Sequence, residues 1–159
     1  MTRVVAPAPI HKTVRVAVPP DRAFAFFTGR MGRWWRADHS LLKTERADII
    51  VEPRVGGRWY ERATDGGECN WGRVLAWEPP HRLLLTWQID GTWTYNPDLV
   101  TEVEIRFVAE GGDATRVELE HRHLERFGDL AISARAALDS PDGWTGALAV
   151  FAAIADREA

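Results

Sequence analysis

Residues 56–87 read GGRWYERATDGGECNWGRVLAWEPPHRLLLTW, and they carry the punctuation of three consecutive antiparallel strands. Gly56-Gly57 opens the first, over Arg58 to Ala63, with a pair that tolerates backbone angles closed to other residues. Thr64-Asp65-Gly66-Gly67 contains Asp-Gly, a strong short hairpin signal. A second strand, Cys69 to Trp77, stops at Glu78-Pro79-Pro80, because neither proline has an N–H to give to a ladder. The third, Arg82 to Ile89, puts Leu83, Leu85, Trp87 and Ile89 on one face by the two-residue period. The product is a β-meander with one oily face.

Such a face needs a cover, and the last apolar segment supplies one. Ser140-Pro141-Asp142 reads as a helix start, with Ser140 as N-cap, Pro141 at the first helical position and an acid in the first turn. Beyond it Trp144, Leu148, Phe151 and Ala155 fall on one side at helical spacing, with Ala147, Val150 and Ile154 beside them. Burying each large side chain is worth roughly 1.5–3 kcal/mol. The expected architecture is therefore a curved sheet closed by a terminal helix.

The flanking segments fit this plan. Met1 to Ile10, with Pro7 and Pro9, reads as a loose arm. His11 to Val18 alternates as a half-buried strand. Pro19-Pro20-Asp21 ends that strand and opens a helix to Thr28, which Gly29 stops. A second short helix carries Met31, Trp34 and Trp35 at i, i+3 and i+4. Ala37 to Arg46 has no period and reads as loop, and Asp48 to Glu52 as a short strand closed by Pro53. Asp90 to Leu99 is a connection broken by Gly91 and Asn96-Pro97-Asp98, yet it carries Trp93 and Tyr95, as a lid or as packing over the sheet edge. Thr101 to Ala109 and Thr115 to Leu124 alternate about a Glu110-Gly111-Gly112-Asp113 turn. Asp129 to Leu138 is alanine-rich and helical. The result is an α+β domain spanning 1–159, with about six to seven antiparallel strands in the order β-α-α-β6-α.

With 159 residues, 45% of them hydrophobic, the chain can enclose a full core. A net charge of −3 with mixed signs argues against a nucleic-acid groove, which needs a concentrated basic stripe. The single cysteine, Cys69, excludes an internal disulfide and fits a reducing compartment. The N-terminal residues have no apolar signal region, and no run reaches membrane-spanning length. A soluble cytoplasmic protein is the expectation. Eight tryptophans is the unusual number; indoles in excess either fill a core or line a pocket for an aromatic guest.

In this order the residues Trp34-Trp35, Gly56-Gly57-Arg58-Trp59, Gly72-Arg73-Val74, Glu78-Pro79-Pro80 with Arg82-Leu83, Trp87, Glu120-His121 and Gly143-Trp144 resemble the START-like (SRPBCC, Bet v-type) helix-grip superfamily. Within it the chain is similar to the subgroup named for the activator of the heat-shock chaperone ATPase, from about residue 11 to 156. GGRWYE, Phe107 to Gly111 with Thr115-Arg116-Val117, and Glu120-His121 followed by His123 bear a closer similarity, within that subgroup, to its enediyne self-sacrifice resistance branch. The resemblance implies a helix-grip fold around a ligand cavity. Its resistance branch implies capture of a reactive diradical and loss of a backbone hydrogen, with Gly111 as the matching donor. A chaperone partner is the other activity it implies.

The candidate site follows from the oily hollow this fold leaves. Trp59, Trp87, Trp144 and Phe151 are expected as walls, Trp35 and Trp93 near the mouth, and Glu61 and His121 as orienting polar groups. Glu61 shares parity with Trp59, so both face inward, or else Tyr60 is inside and Glu61 in water. His121 and His123 share a strand face, either as a metal half-site or acid–base pair, or as one core histidine and one at the strand end. Metal binding needs a third ligand, and no HxxxH or CxxC is present, so neither metal nor cofactor is expected. There is no GxSxG elbow, and nothing around Cys69 lowers its pKa. The function expected first is non-catalytic binding of a hydrophobic or aromatic small molecule. The alternatives are a self-sacrificing resistance protein, a cyclase or hydrolase, and a chaperone co-regulator.

Overall fold

The computed structural model describes residues 7–36 and 39–159. Most of the expected N-terminal arm (1–6) and residues 37–38 of the expected loop lie outside the described residues. Among the described residues seven strands form one antiparallel sheet: β1 (Ile10–Val16), β2 (Arg46–Val51), β3 (Arg58–Ala63), β4 (Glu68–Glu78), β5 (Arg82–Trp87), β6 (Thr101–Glu110) and β7 (Ala114–Arg122). Their spatial order is β1-β7-β6-β5-β4-β3-β2. Sequence neighbours pair throughout β2 to β7, and β1 joins the far edge beside β7, with Val14 opposite Val117. Helices α1 (Pro20–Gly29) and α2 (Met31–Trp34) follow β1; α3 (Ala131–Asp139) and α4 (Trp144–Glu158) end the chain, entered through a 3₁₀ segment over Leu124–Leu130. This is a helix-grip architecture.

The alternation in the strands sets the two faces. Val103, Ile105 and Phe107 of β6, Val117, Leu119 and His121 of β7, and Leu83, Leu85 and Trp87 of β5 are all buried on the inner side. The outer side carries a ladder of cross-strand ion pairs, with Arg122 to Glu102 at 3.0 Å and Arg82, Arg106 and Arg122 converging on Glu104. Opposite charges facing each other across strands add modest stability each and keep that face wet. Helix α4 buries Trp144, Ala147, Leu148, Phe151 and Ala155 against the inner side, the stripe that its spacing predicts.

The helix start differs from the expected one. Ser140 caps the end of α3, its hydroxyl donating to the Ala137 carbonyl at 2.7 Å. The turn closes through Gly143 N–H to Ser140 O at 2.9 Å, and α4 begins only at Trp144. Gly143 sits so close to α3 that a Cβ there would lie 2.2 Å from the Leu138 carbonyl oxygen. Only glycine fits that fold-back, so the Ser-Pro-Asp signal marks the turn between two helices. Trp35 differs as well. It stands just beyond α2 in an extended conformation (φ −73°, ψ 136°), which releases its ring from the helix face.

Two irregularities in β4 bend the sheet. The register slips between the Trp59–Gly72 and Tyr60–Asn70 pairs, leaving Trp71 as an extra residue, and again between Val74–Leu85 and Ala76–Leu84. Such bulges sharpen twist and re-aim side chains. Gly72 permits the first: a Cβ there would sit 1.9 Å from the Thr86 carbonyl oxygen.

Candidate functional site

The sheet and the last helix leave a cavity of about 440 Å³ between the end of β5, the α3–α4 turn and the segment after α2. Its walls are indoles delivered by five separate elements: Trp35 past α2, Trp71 at the β4 bulge, Trp87 at the end of β5, Trp93 on the following connection and Trp144 at the first turn of α4. The rings brace one another. Trp35 lies 5.0 Å from Trp71 and 5.5 Å edge-on to Trp144, and Trp87 lies 5.5 Å from Trp144. Edge-to-face pairs of this kind each add roughly 0.5–1.5 kcal/mol beyond area burial, so the wall is preorganised.

Two buried polar side chains stand behind that wall and hold it. Glu61, fully buried on β3, accepts hydrogen bonds from Trp71 Nε1 (3.1 Å), Leu41 N (2.6 Å) and Ser40 Oγ (2.5 Å). One carboxylate thus fixes a wall indole and the chain opposite it, through charge-assisted bonds. His121 is equally buried. Its Nδ1 accepts from Trp144 Nε1 at 3.1 Å, and its Nε2 lies 2.8 Å from Thr101 Oγ1, which itself donates to the Trp87 carbonyl. An indole can only donate and Thr101's proton is engaged, so the imidazole is neutral and carries its hydrogen on Nε2. Burial drives its pKa down to about 3, far from any value useful for proton exchange near neutrality.

The mouth is shaped differently. Trp93, 49% exposed, adopts φ 60°, a left-handed conformation that is strained for a bulky residue. Asp90 imposes it, its carboxylate accepting from Thr92 N, Thr92 Oγ1 and Thr94 N at 2.6–3.1 Å. The Thr92 hydroxyl holds that carboxyl below the usual carboxylate range. Across the mouth Arg36 reaches Asp142 at 3.3 Å. Among the described residues on the lining, His39 and Asp142 are the ionisable ones, and none is a lysine or arginine.

Of the residues expected at the site, Trp35, Trp87, Trp93 and Trp144 line the cavity. Trp59 and Phe151 do not. Trp59 is packed beneath the wall with its N–H on the Met31 sulfur at 3.1 Å, and Phe151 packs among Phe26, Phe27 and Trp34 farther along α4. Glu61 and His121 do not line it either, because their polar atoms are occupied by the wall from behind. Glu61 does take the inward side, while Tyr60 lies outside under the Arg58 guanidinium, 3.9 Å from its ring centre. His123 follows β7 at φ 65° and is partly exposed beside Glu102, so it does not share the interior with His121. Among the described residues no group of three or more His, Cys, Asp or Glu side chains is placed to hold a metal. Gly111 occupies the β6–β7 turn, at the opposite end of β6 from Thr101. At about 3.3 Å per residue that is roughly 30 Å from the cavity wall.

Sequence reasoning missed Trp71, Ser40 and Leu41. Trp71 had a readable marker, since a glycine inside a strand signals a bulge, and Gly72 follows it directly. Ser40 and Leu41 sit in an aperiodic segment that carries no such marker.

A family model described as Activator of Hsp90 ATPase homolog 1-like protein matches residues 17–156. The chain belongs to that family. Among solved structures this AHSA1-family chain is 46% identical to an anthrahydroquino-γ-pyrone synthase, Txn09, over 94% of this chain and 97% of that one, with a TM-score of 0.66. It is 29% identical to CalC, a self-sacrificing resistance protein from Micromonospora echinospora, over 94% and 95%, with a TM-score of 0.72. An HSP90 activator from Plasmodium falciparum is 20% identical over 72% and 71% with a TM-score of 0.50, a likeness of fold alone. No curated protein matches the chain. Among the described residues no helix is long and apolar enough to cross a membrane.

Proposed function

We propose that this protein binds a flat, fused-ring aromatic small molecule in the tryptophan-walled cavity. One observation carries the reading: five indoles from five elements enclose about 440 Å³, within the roughly 300–1,000 Å³ typical of small-molecule pockets. Four of these rings are buried, and Trp71 and Trp144 are held from behind by Glu61 and His121. A preorganised aromatic box favours planar guests because it loses little entropy on binding. The 46% identity to a protein that makes an anthrahydroquino-γ-pyrone supports polycyclic aromatic ketones as the guest class.

The same likeness favours a second reading, in which the guest is converted by ring closure. His39 and Asp142 on the lining are then the groups able to move a proton, since His121 is locked neutral behind the wall. Self-sacrifice has less support, because Gly111 stands away from the cavity. A chaperone partner rests on the family name and a likeness of fold.

One experiment separates these readings. Titrate tryptophan fluorescence with 1,8-dihydroxyanthraquinone, then incubate the protein with a ring-opened precursor of an anthraquinone-γ-pyrone and analyse guest and protein by mass spectrometry. Saturable quenching with both molecules recovered unchanged supports binding alone. A ring-closed product lighter than the precursor by one water, lost in His39→Ala or Asp142→Asn, supports ring closure. Absence of quenching by any fused aromatic refutes the cavity reading.

A further inference from the structure

Among the described residues, one buried side-chain nitrogen or oxygen has no hydrogen-bond partner, and it is Trp35 Nε1. Every other buried indole on the cavity wall has its N–H engaged: Trp71 on Glu61, Trp87 on the Ile89 carbonyl and Trp144 on His121. Trp34 and Trp59, beneath the wall, are likewise engaged, on the Phe27 carbonyl and the Met31 sulfur. An orphaned buried donor is uncommon in a folded protein, and it destabilises the free state until an acceptor arrives. Its position adds meaning. Trp35 is the hub of the cluster, with its ring centre within 6.4 Å of those of Trp34, Trp59, Trp71, Trp87 and Trp144. It lines the cavity, and packing alone sets its ring angle.

We infer that the Trp35 N–H is the specificity-determining donor of the site, reserved for a ketone oxygen of a fused-ring aromatic guest. The inference rests on the cavity reading above and narrows its guest to aromatic ketones. The chemistry selects the acceptor. An indole N–H only donates, so it distinguishes a guest that carries an acceptor from one that carries a methylene in the same place. Among the described residues the lining has no lysine or arginine, and Arg36 at the mouth is paired with Asp142, which disfavours a carboxylate deep in the cavity, whose charge would be buried unpaired. A neutral carbonyl in the ring plane matches both conditions, and the neighbouring indoles hold that plane. The ring turns slightly to present its N–H as the guest's faces pack against Trp87 and Trp144.

The test compares xanthone with xanthene, the same three rings with and without the γ-pyrone ketone. On the full chain, xanthone is expected to bind roughly tenfold or more tightly than xanthene, the worth of satisfying one buried donor. Trp35→Phe is expected to bring the two within about twofold. Trp77→Phe, which removes an indole outside the cavity that packs on Phe24, is expected to leave the preference intact. In ¹H–¹⁵N spectra the Trp35 indole resonance, assigned by its loss in Trp35→Phe, should move downfield with xanthone and not with xanthene. Equal affinities in the wild type, or a Trp35 indole resonance that does not move downfield with xanthone, overturn the inference while leaving the cavity reading standing. That comparison needs no variant, so it holds even if Trp35→Phe fails to fold. If neither compound binds, the cavity reading falls and this inference with it.

Discussion

Mild acid should loosen this protein through a single histidine. His121 is neutral in the folded state, with a pKa lowered from 6.5 to about 3. Desolvation is the cause; its ring neighbours are Trp87, Phe127 and Trp144, and its hydrogen-bond partners Thr101 and Trp144. The unfolded chain takes up the proton near 6.5 and the folded chain does not, so the contribution of His121 is fully present above that value. It is lost progressively as pH falls from about 6.5 towards 3, at about 1.4 kcal/mol per unit. Between pH 7 and pH 5 the loss comes to about 2 kcal/mol. Glu104, Asp90 and Asp139, whose pKa values are also lowered, have ordinary values of 4.5, 3.8 and 3.8, and their losses begin only below that window. Urea unfolding followed by tryptophan fluorescence at pH 7 and pH 5, on the wild type and on His121→Gln, measures the difference directly. The glutamine variant should be less stable at pH 7 yet lose about 2 kcal/mol less on acidification. Parallel losses in the two proteins would refute the assignment of a neutral, buried imidazole.

Two further expectations concern the wall. Glu61→Ala strands one buried donor, on Trp71, and two part-buried ones, on Leu41 and Ser40, and at about 1–3 kcal/mol for a buried unsatisfied group should destabilise by at least about 1 kcal/mol in urea unfolding; Glu61→Gln, which keeps an acceptor oxygen, should lose distinctly less. Gly143→Ala places a Cβ 2.2 Å from the Leu138 carbonyl oxygen, whereas a Cβ at Gly112 meets nothing within 4 Å. The first should lower the thermal midpoint by several degrees and weaken aromatic guests, and the second should do neither; equal melting curves would show that the α3–α4 turn relaxes freely.

The sheet was legible from local signals. Asp65-Gly66, Pro79-Pro80 and Gly111-Gly112 punctuate strands whose alternation assigns the inner face, and the structure keeps those boundaries within one or two residues. The site was legible only in its composition. Glu61 had two possible orientations, because a two-residue period groups it with Trp59 without saying which group faces the core; the β4 bulge changes parity for Trp71 instead. Ser140 had the chemistry of an N-cap, but its hydroxyl turns back to α3 because Gly143 lets the chain fold onto Leu138. Tryptophan count raised the question of core or lining without dividing the residues. Trp59 and Phe151 became floor, and Trp71 became wall, through strand register and sheet curvature that no local pattern records.

The placement of Glu61 and His121 behind the indoles has an evolutionary corollary. Contact surface and scaffold are separate layers here, so front-row positions such as Leu41, Ile89 and Ala147 are free to drift in size without unfastening the clamps that keep the rings upright. Small substitutions in that front row are expected to reshape the hollow, whereas loss of the concealed acid or imidazole would let the rings slump.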